Sequence, residues 1–198
     1  MNMQKIKDAT LRHIAPAVMY TIVSVILLGI VYPLAMTGIS ELIFPAQASG
    51  SVVYRNGIAI GSDIIGQLWT KPEYFHGRPS AAGSGYDPTS TSGTNLGPTS
   101  KKLIDATAAT IKALKKDNPD AAGPVPMDLV TSSGSGIDPD ISPEAAYYQA
   151  PRVASARHMT VDTVRAVIAS HIVPRELGFL GEPRVNVMQL NLALDGQK

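Results

Sequence analysis

The sequence predicts one N-terminal transmembrane helix followed by one α+β extracytoplasmic domain, which holds a small sheet with a β-hairpin near its start and several helices. Three observations indicate this fold class. Residues 14–40 carry no charge, β-prone runs flank Asn56-Gly57, and apolar residues recur at helical spacing beyond residue 100. We therefore divide the chain into an N-terminal tail (1–12), a transmembrane helix (13–37), a linker (38–50) and an outer domain (51–198).

The composition excludes several classes of protein. The 198 residues include 17 Lys and Arg against 16 Asp and Glu, a formal net charge of +1. This balance gives no electrostatic reason to expect nucleic acid as a partner. A hydrophobic share of 44% argues against an intrinsically disordered chain. Cysteine is absent, which excludes disulfide bridges, thiolate nucleophiles and cysteine-bound metals.

The predicted transmembrane helix lies between the flanking charges of Arg12 and Glu41. The stretch Ile14–Met36 contains eleven Leu, Ile and Val residues. About 20 apolar residues suffice to cross the hydrocarbon core of a bilayer, so we expect this stretch to insert. Lys5 and Lys7 also precede it. Because short basic flanks stay in the cytoplasm, the N-terminus should be cytoplasmic and the main domain periplasmic.

A cleaved signal peptide is the alternative interpretation of the same segment. Ala46-Gln47-Ala48 has the small-x-small spacing of a cleavage site, which would make Ser49 the first residue of the mature chain. The apolar core of a signal peptide is usually about 7 to 15 residues long, however, and this one is nearly twice that. We therefore expect the helix to be retained as an anchor.

The outer domain should open with a β-hairpin and continue into a long loop. Asn56-Gly57 suits a type I′ turn, because both central residues of that turn need positive φ. In the loop at residues 77–100, 17 of 24 residues are Gly, Pro, Ser or Thr. Composition leaves two interpretations open: a flexible loop, or an ordered loop that wraps a partner.

A helix is predicted directly after that loop. Thr99 or Ser100 can cap it, and Asn118-Pro119 should end it. Its apolar stripe consists of Leu103, Ile104, Thr107, Ile111 and Leu114.

Three further helices are predicted towards the C-terminus. Ser142-Pro143-Glu144 supplies a cap, a proline in the first helical position and an acid in the first turn. Pro151 should break or kink that helix. Thr160 can cap the next one. The tail Val185–Leu194 is ambiguous between strand and helix, and we favour a helix capped by Asn186.

No catalytic motif is present in the sequence. The four histidines lie far apart, and neither HExxH, G-x-S-x-G nor the Gly-Lys of a phosphate-binding loop occurs. A membrane-anchored periplasmic enzyme or binding protein stays the alternative function.

Tyr74, Phe75, His76 and Arg78 combine aromatic rings and an arginine beside turn residues, which is typical of interface anchors. Equally, the two aromatic residues could belong to the core while Arg78 is solvated.

Four long runs of the sequence resemble a known family. They are GSDIIGQLWTKPEYFHGRPSA (61–81), YDPTSTSGTNLGPTS (86–100), DLVTSSGSGIDPDISPEAAYYQAPRVASAR (128–157) and GEPRVNVMQLNLALD (181–195). These runs are similar to the C subunits of bacterial Kdp potassium-transporting P-type ATPases. The resemblance covers almost the whole chain, including the single N-terminal span.

The resemblance implies an accessory, non-catalytic subunit of a high-affinity, ATP-driven potassium uptake complex in the bacterial inner membrane, needed for assembly and activity. The implied partners are a channel-like potassium-binding subunit, an ATP-hydrolysing P-type subunit and a small stabilising peptide, with membrane lipid around the helix. ATP and K⁺ would be handled by the complex, and this chain would bind no cofactor itself. Consistently, the aspartyl-phosphate motif DKTGT of P-type pumps is absent.

The resemblance also implies two sets of site residues. The family's C subunit is described as a catalytic chaperone that raises the ATP affinity of the hydrolysing subunit, with a glutamine in a QxPR run proposed to contact nucleotide. That run matches Gln149 and Arg152. The predicted topology puts Gln149 outside, whereas ATP is cytoplasmic, so the alternative is that both residues bridge helix ends near Pro151.

For the partner interface we predict an outer domain that sits over the external mouth of the channel-like subunit, where it either stabilises the assembly alone or also gates ion entry. The 77–100 loop should take part in this contact. The individual residues predicted for the interface are Tyr74, Phe75, His76, Arg78 and Asn95.

Overall fold

The computed structural model describes residues 3–196, with side chains from residue 12 onward. The chain divides into two compact units, and the division falls between Ser51 and Val52. The first unit is helical, and the second combines helices with two small sheets. This architecture confirms the predicted fold class of one N-terminal apolar helix and one α+β domain.

The first unit is a succession of helices. Helix α1 spans Met3–Ile26, a π-helical turn spans Leu27–Val31, α2 spans Tyr32–Ile43 and a short α3 spans Pro45–Ala48. Within the described residues, Arg12–Ile43 is the stretch that is long and apolar enough to cross a membrane. This stretch extends past the predicted span 13–37, so most of the predicted linker 38–50 is helical.

The π-helical turn lies just before Pro33. Pro33 has no N–H, so it cannot donate to the carbonyl of Gly29 four residues earlier. The N–H of Tyr32 bonds five residues back, to the carbonyl of Leu27. The apolar helix therefore accommodates Pro33 by a local change of hydrogen bonding and continues to Ile43.

The second unit opens with the predicted hairpin. Strand β1 spans Val52–Arg55 and β2 spans Ile58–Ser62, and the two pair antiparallel as a separate two-stranded sheet. Arg55 pairs with Ile58, which leaves Asn56 and Gly57 as the turn. Their φ angles of 53° and 78° are those of a type I′ turn, so the prediction is confirmed.

The remaining elements build the body of the domain. In chain order they are α4 (Lys101–Asp117), a 3₁₀ turn (Met127–Leu129), β3 (Asp140–Ile141), α5 (Pro143–Arg157), α6 (Val161–Ser170), β4 (Ile172–Val173), β5 (Arg184–Asn186) and α7 (Val187–Asp195). The short strands form a second antiparallel sheet in the order β3-β5-β4, with Val185 of β5 facing Ile141 on one side and Ile172 on the other.

Side-chain caps start three of these helices where the sequence predicts them. Ser142 accepts a hydrogen bond from the N–H of Ala145, and Thr160 accepts one from Thr163. Asn186 accepts one from Gln189, which confirms the helical interpretation of the tail. Ser100 occupies the cap position of α4 but makes no side-chain capping bond.

The predicted break at Pro151 is wrong. Helix α5 runs without interruption from Pro143 to Arg157, with Pro151 inside it. The residues on its inner side, Ala150 and Val153, are fully buried. Packing of this face against the core therefore outweighs the cost of about 3 kcal/mol that an internal proline imposes on an isolated helix.

The core lies where α5, α6 and α7 pack around the second sheet. Its fully buried side chains include Val164, Ile168, Val185, Leu190 and Leu194. Phe75, from the segment that precedes the long loop, completes this cluster with no exposed surface. A segment without regular secondary structure is thus anchored directly in the core.

Candidate functional site

Two amide side chains, from different helices, bind the backbone of Phe75 and His76. The N–H of Phe75 donates to Oδ1 of Asn191 at 2.8 Å, and Nδ2 of Asn191 donates back to the carbonyl of Phe75 at 3.1 Å. The next residue repeats the pattern with Gln149. His76 N–H donates to Oε1 at 2.8 Å, and Nε2 donates to the carbonyl of His76 at 3.1 Å.

Each amide thereby imitates the peptide group of a neighbouring β-strand. A carboxamide carries a donor and an acceptor side by side, as a peptide group does, and can close a two-bond ring with one backbone residue. We call this arrangement, made by Gln149 from α5 and Asn191 from α7 around Phe75 and His76, the amide clamp.

Two arginines, the half-buried Arg152 and the buried Arg157, extend the amide clamp along the same segment. Arg152 donates to the carbonyls of Pro72 at 2.5 Å and Tyr74 at 3.0 Å. Burial lowers the pKa of Arg152 to about 10, so the guanidinium stays charged at neutral pH. Arg157 donates from Nε to the carbonyl of Glu73 at 2.7 Å.

Arg157 also links this segment to the C-terminal helix. Its Nη2 lies 3.0 Å from Oδ1 of Asp195, and its guanidinium lies 5.2 Å from the centre of the Tyr74 ring. The Tyr74 ring in turn packs 4.7 Å from Trp69. Cation, carboxylate and rings together fix the segment that leads into Phe75.

Gln149 has no hydrogen-bonding capacity left for a ligand. Its Oε1 accepts from His76 and from Nη2 of Arg152 at 2.8 Å, and its Nε2 donates to the carbonyls of His76 and Ala145. An amide offers two donors and two lone pairs, and all four are used. The side chain is 1% exposed. This geometry is that of a structural clamp, and it favours the alternative in which Gln149 and Arg152 bridge elements of the domain itself.

The residues predicted for the partner interface have very different environments. Phe75 is fully buried and its ring fills the domain's own core, which favours the alternative in which this aromatic residue belongs to the core. Tyr74 and His76 are half-buried. Burial and the nearby charge of Arg152 lower the pKa of His76, whose Nε2 lies 3.1 Å from the carbonyl of Lys71. Asn95 is exposed, with a positive φ of 51°.

Arg78 is neither a free anchor nor a solvated side chain. Its Nη1 lies 3.0 Å from Oδ2 of Asp138, and its backbone carbonyl accepts a hydrogen bond of 2.6 Å from the hydroxyl of Tyr86. Burial and the charge of Asp138 raise the pKa of that hydroxyl to about 12, so Tyr86 remains a donor. Arg78 therefore ties the beginning of the long loop to the segment before β3.

The first half of the 77–100 loop is packed on the domain itself, which argues against a flexible loop for this part. Oγ of Ser80 donates to the carbonyl of Gly136 at 2.5 Å and accepts from the N–H groups of Ala82 and Tyr86. Ala82 is fully buried. The second half is mainly exposed, and the N–H of Ser92 donates to the carbonyl of Ser135 at 3.0 Å.

A cavity of about 770 Å³ lies between the 120–131 segment and the start of α5. Its charged lining comprises Arg78, Arg165, Asp120, Asp128 and Glu144. Arg78 is engaged by Asp138, and three carboxylates remain against Arg165, so the cavity repels rather than attracts phosphate groups. Across the described residues, no group of three or more His, Cys, Asp or Glu side chains could hold a metal ion.

Most contacts around the amide clamp cannot be recognised from short sequence motifs. Asn191 and Arg157 carry no recognisable signal, because each contacts residues far away in the chain. Tyr86 bonds to Arg78, only eight residues earlier, but in a segment without a periodic pattern. The QxPR run is the exception, since it contains both Gln149 and Arg152. Its meaning, however, emerges only when the run is seen against residues 72–76.

Fold and site together define a class: a single candidate membrane helix that carries one α+β domain, fitting a single-pass membrane subunit. The chain belongs to the KdpC family, because the family model described as "K+-transporting ATPase, c chain" matches residues 14–196. The predicted family is thereby confirmed. Membership implies a role in potassium uptake within a complex that has further subunits.

Similar proteins point to the same family. A protein of Acidobacterium capsulatum named potassium-transporting ATPase KdpC subunit is 52% identical over 190 residues, covering 93% of this chain and 98% of that protein. Proteins with the same name from Bradyrhizobium diazoefficiens and Koribacter versatilis are 51% and 49% identical. Each of these alignments covers 93% of this chain, and 97% and 95% of the respective relative.

Proposed function

We propose that this chain is a non-catalytic accessory subunit of an ATP-driven potassium uptake complex, and that its outer domain stabilises the assembly from the periplasmic side of the inner membrane. The observation that carries this proposal is the division of the molecule: one apolar helix for the bilayer, and one domain whose strongest polar groups are committed to its own fold. Such a domain is suited to a structural role, as a body to which the partner subunits bind.

The sidedness of the domain follows from the flanking charges. Lys5, Lys7 and Arg12 precede the apolar helix, and the first charge after it is that of Glu41. Because positively charged flanks are retained in the cytoplasm, the N-terminus is cytoplasmic and the domain is periplasmic in this proposal.

The partners in this proposal are a channel-like potassium-binding subunit, an ATP-hydrolysing P-type subunit and a small stabilising peptide. The exposed second half of the 77–100 loop, which includes Asn95, is available for contact with them. The described contacts of Tyr74, His76 and Arg78 lie within the domain, so in this proposal these residues fix the start of the loop and Asn95 contacts the partner.

An effect of this chain on ATP affinity is indirect in our proposal. Gln149 is buried and its hydrogen-bonding capacity is used up, and the cavity beside the 120–131 segment carries more carboxylates than cations. A phosphate group is held by a backbone N–H cradle and an excess of positive charge, and neither place supports that role. Stabilising one conformation of the partner subunits would raise their ATP affinity without any contact to nucleotide.

The proposal is tested by expressing the complex with and without this chain. Without it, the remaining subunits should fail to co-purify in mild detergent, and potassium-stimulated ATP hydrolysis should be lost. Restoring the chain from a second plasmid should restore both. A complete and active complex recovered without the chain would contradict the proposal.

A further inference from the structure

The loop between β4 and β5 presents three large apolar side chains to solvent. Leu177 is 82% exposed, Phe179 67% and Leu180 50%. We call these three residues the apolar tip. Other large apolar side chains of the domain, such as those of Tyr54, Ile58 and Met127, are exposed as well, but these three project together from one turn. Exposed apolar clusters of this kind mark interaction sites.

The apolar tip is held by a tight and regular turn. Glu176 and Leu180 exchange two backbone hydrogen bonds of 2.9 Å each, and the N–H of Phe179 donates to the carbonyl of Glu176 at 3.2 Å. The strands on either side belong to the second sheet, so the turn is attached to the body of the domain. The three side chains are therefore presented in a defined arrangement.

Leu177 is an unfavourable residue for the backbone conformation of this turn. Leu177 and Gly178 have positive φ angles of 53° and 83°. The first hairpin of the same domain places Asn56-Gly57 in the equivalent conformation, which is the usual choice. A branched leucine in the left-handed region is strained. Local rules are broken in this way mainly at functional sites, so an exposed leucine is what the position requires.

The charges around the apolar tip indicate which kind of surface it meets. Arg175 pairs with Glu182 at 2.5 Å, and Arg184 lies 3.6 Å from Glu176. Arg184 also lies 3.1 Å from Asp140, so the rim of the tip has no excess of positive charge. A lipid surface is recognised by an excess of Lys and Arg beside the apolar group, which this rim does not provide. An apolar tip with a polar, ion-paired rim matches the anatomy of a protein interface.

We propose that the apolar tip inserts into an apolar pocket on the extracytoplasmic surface of a partner subunit, and so fixes the outer domain on the complex. This inference rests on the proposed function, because it takes the partner to be another subunit of the potassium-transporting ATPase. Phe179 and Leu177 fill the pocket, and the paired charges surround it and exclude water.

Leu177→Asn in the full chain separates docking from folding. Asparagine tolerates the left-handed conformation, so the melting temperature of the purified chain should be unchanged or higher. Retention of the chain on the complex in mild detergent should fall roughly tenfold, as for the loss of an interface anchor. Met127→Asn is the matched control, because Met127 is 77% exposed elsewhere on the domain, and it should retain wild-type binding.

A photo-crosslinking amino acid at Phe179 identifies the surface directly in intact cells. We expect an adduct with one partner subunit. An adduct only with a second copy of this chain or only with lipid would overturn the inference, as would unchanged retention of Leu177→Asn or an equal loss in Met127→Asn. If the wild-type chain itself is not retained on the complex, the proposed function fails. If only the tip variants behave like wild type, this inference fails alone.

Discussion

Gln149 and Asn191 have the same structural role from two different helices, and this equivalence makes the role testable. Replacing either by Leu leaves the N–H and carbonyl of one backbone residue unpaired in a buried place. We expect each variant to lower the free energy of unfolding by about 2–4 kcal/mol. Urea unfolding of the full chain in detergent measures this loss.

Asn191 is the informative partner because the resemblance assigns it no nucleotide contact. Ser155→Ala, on the exposed side of α5, is the control and should change stability by less than about 0.5 kcal/mol. A Gln149→Leu chain of wild-type stability whose complex nevertheless loses ATP affinity, while Asn191→Leu has no such effect, would contradict the structural role.

His76 makes the domain sensitive to acid. Burial and Arg152 lower the pKa of His76 from its usual 6.5, so the folded ring resists a proton that the unfolded ring accepts. Stability from this group is therefore present above the unfolded pKa and is lost as the pH falls through the folded pKa. Between about pH 7.5 and about pH 5.5, the wild type should lose more stability than His76→Gln. Equal losses measured by thermal unfolding would show that His76 is not responsible.

At the scale of elements, the 77–100 loop depends on a close contact between Gly77 and Tyr86. A Cβ at position 77 would lie 2.3 Å from the hydroxyl oxygen of Tyr86. We expect Gly77→Ala to destabilise the domain by about 1–3 kcal/mol. Gly97→Ala is the matched control, because nothing lies within 4 Å of the added Cβ there.

Removing the obstructing hydroxyl gives a second check on this contact. Tyr86→Phe loses the hydrogen bond to the carbonyl of Arg78, but it also removes the atom nearest to the new Cβ. The double variant Gly77→Ala/Tyr86→Phe should therefore be more stable than the sum of the single losses predicts. Strict additivity in urea unfolding would mean that the two residues do not press on each other.

The elements that the sequence predicts correctly are those specified by local chemistry. Asn56-Gly57 determines its own turn, and Ser142, Thr160 and Asn186 each cap a helix within three residues of themselves. The break expected at Pro151 fails because burial of the inner face of α5 overrides a local rule. Local signals therefore predict the ends of elements better than their continuity.

The site depends on contacts between distant positions, which local patterns cannot reveal. His76 and Gln149 are 73 residues apart in the chain, and Phe75 and Asn191 are 116 apart. For the same reason the sequence alone predicts a partner contact for Phe75: its aromatic character is visible in the sequence, but its place in the core is not. The apolar tip escapes a search for periodicity because it occupies a single turn.

At the scale of the whole molecule, the apolar helix should remain part of the mature protein. The full chain has a mass of 20.9 kDa. We expect mass spectrometry of the membrane-extracted protein to give the intact chain, and alkaline carbonate not to release it, because about 20 apolar residues suffice for stable insertion. A shorter, released chain beginning at Ser49 would mean that the segment is a cleaved signal peptide.

The periplasmic position of the outer domain is the premise on which the proposed function rests most. The chain contains no cysteine, so single cysteines can be introduced without background. In intact cells a membrane-impermeant maleimide should label Lys115→Cys, at an exposed position of α4, and should label Gln4→Cys only after lysis. Labelling of Gln4→Cys in intact cells, with Lys115→Cys protected until lysis, would place the domain in the cytoplasm and contradict the account.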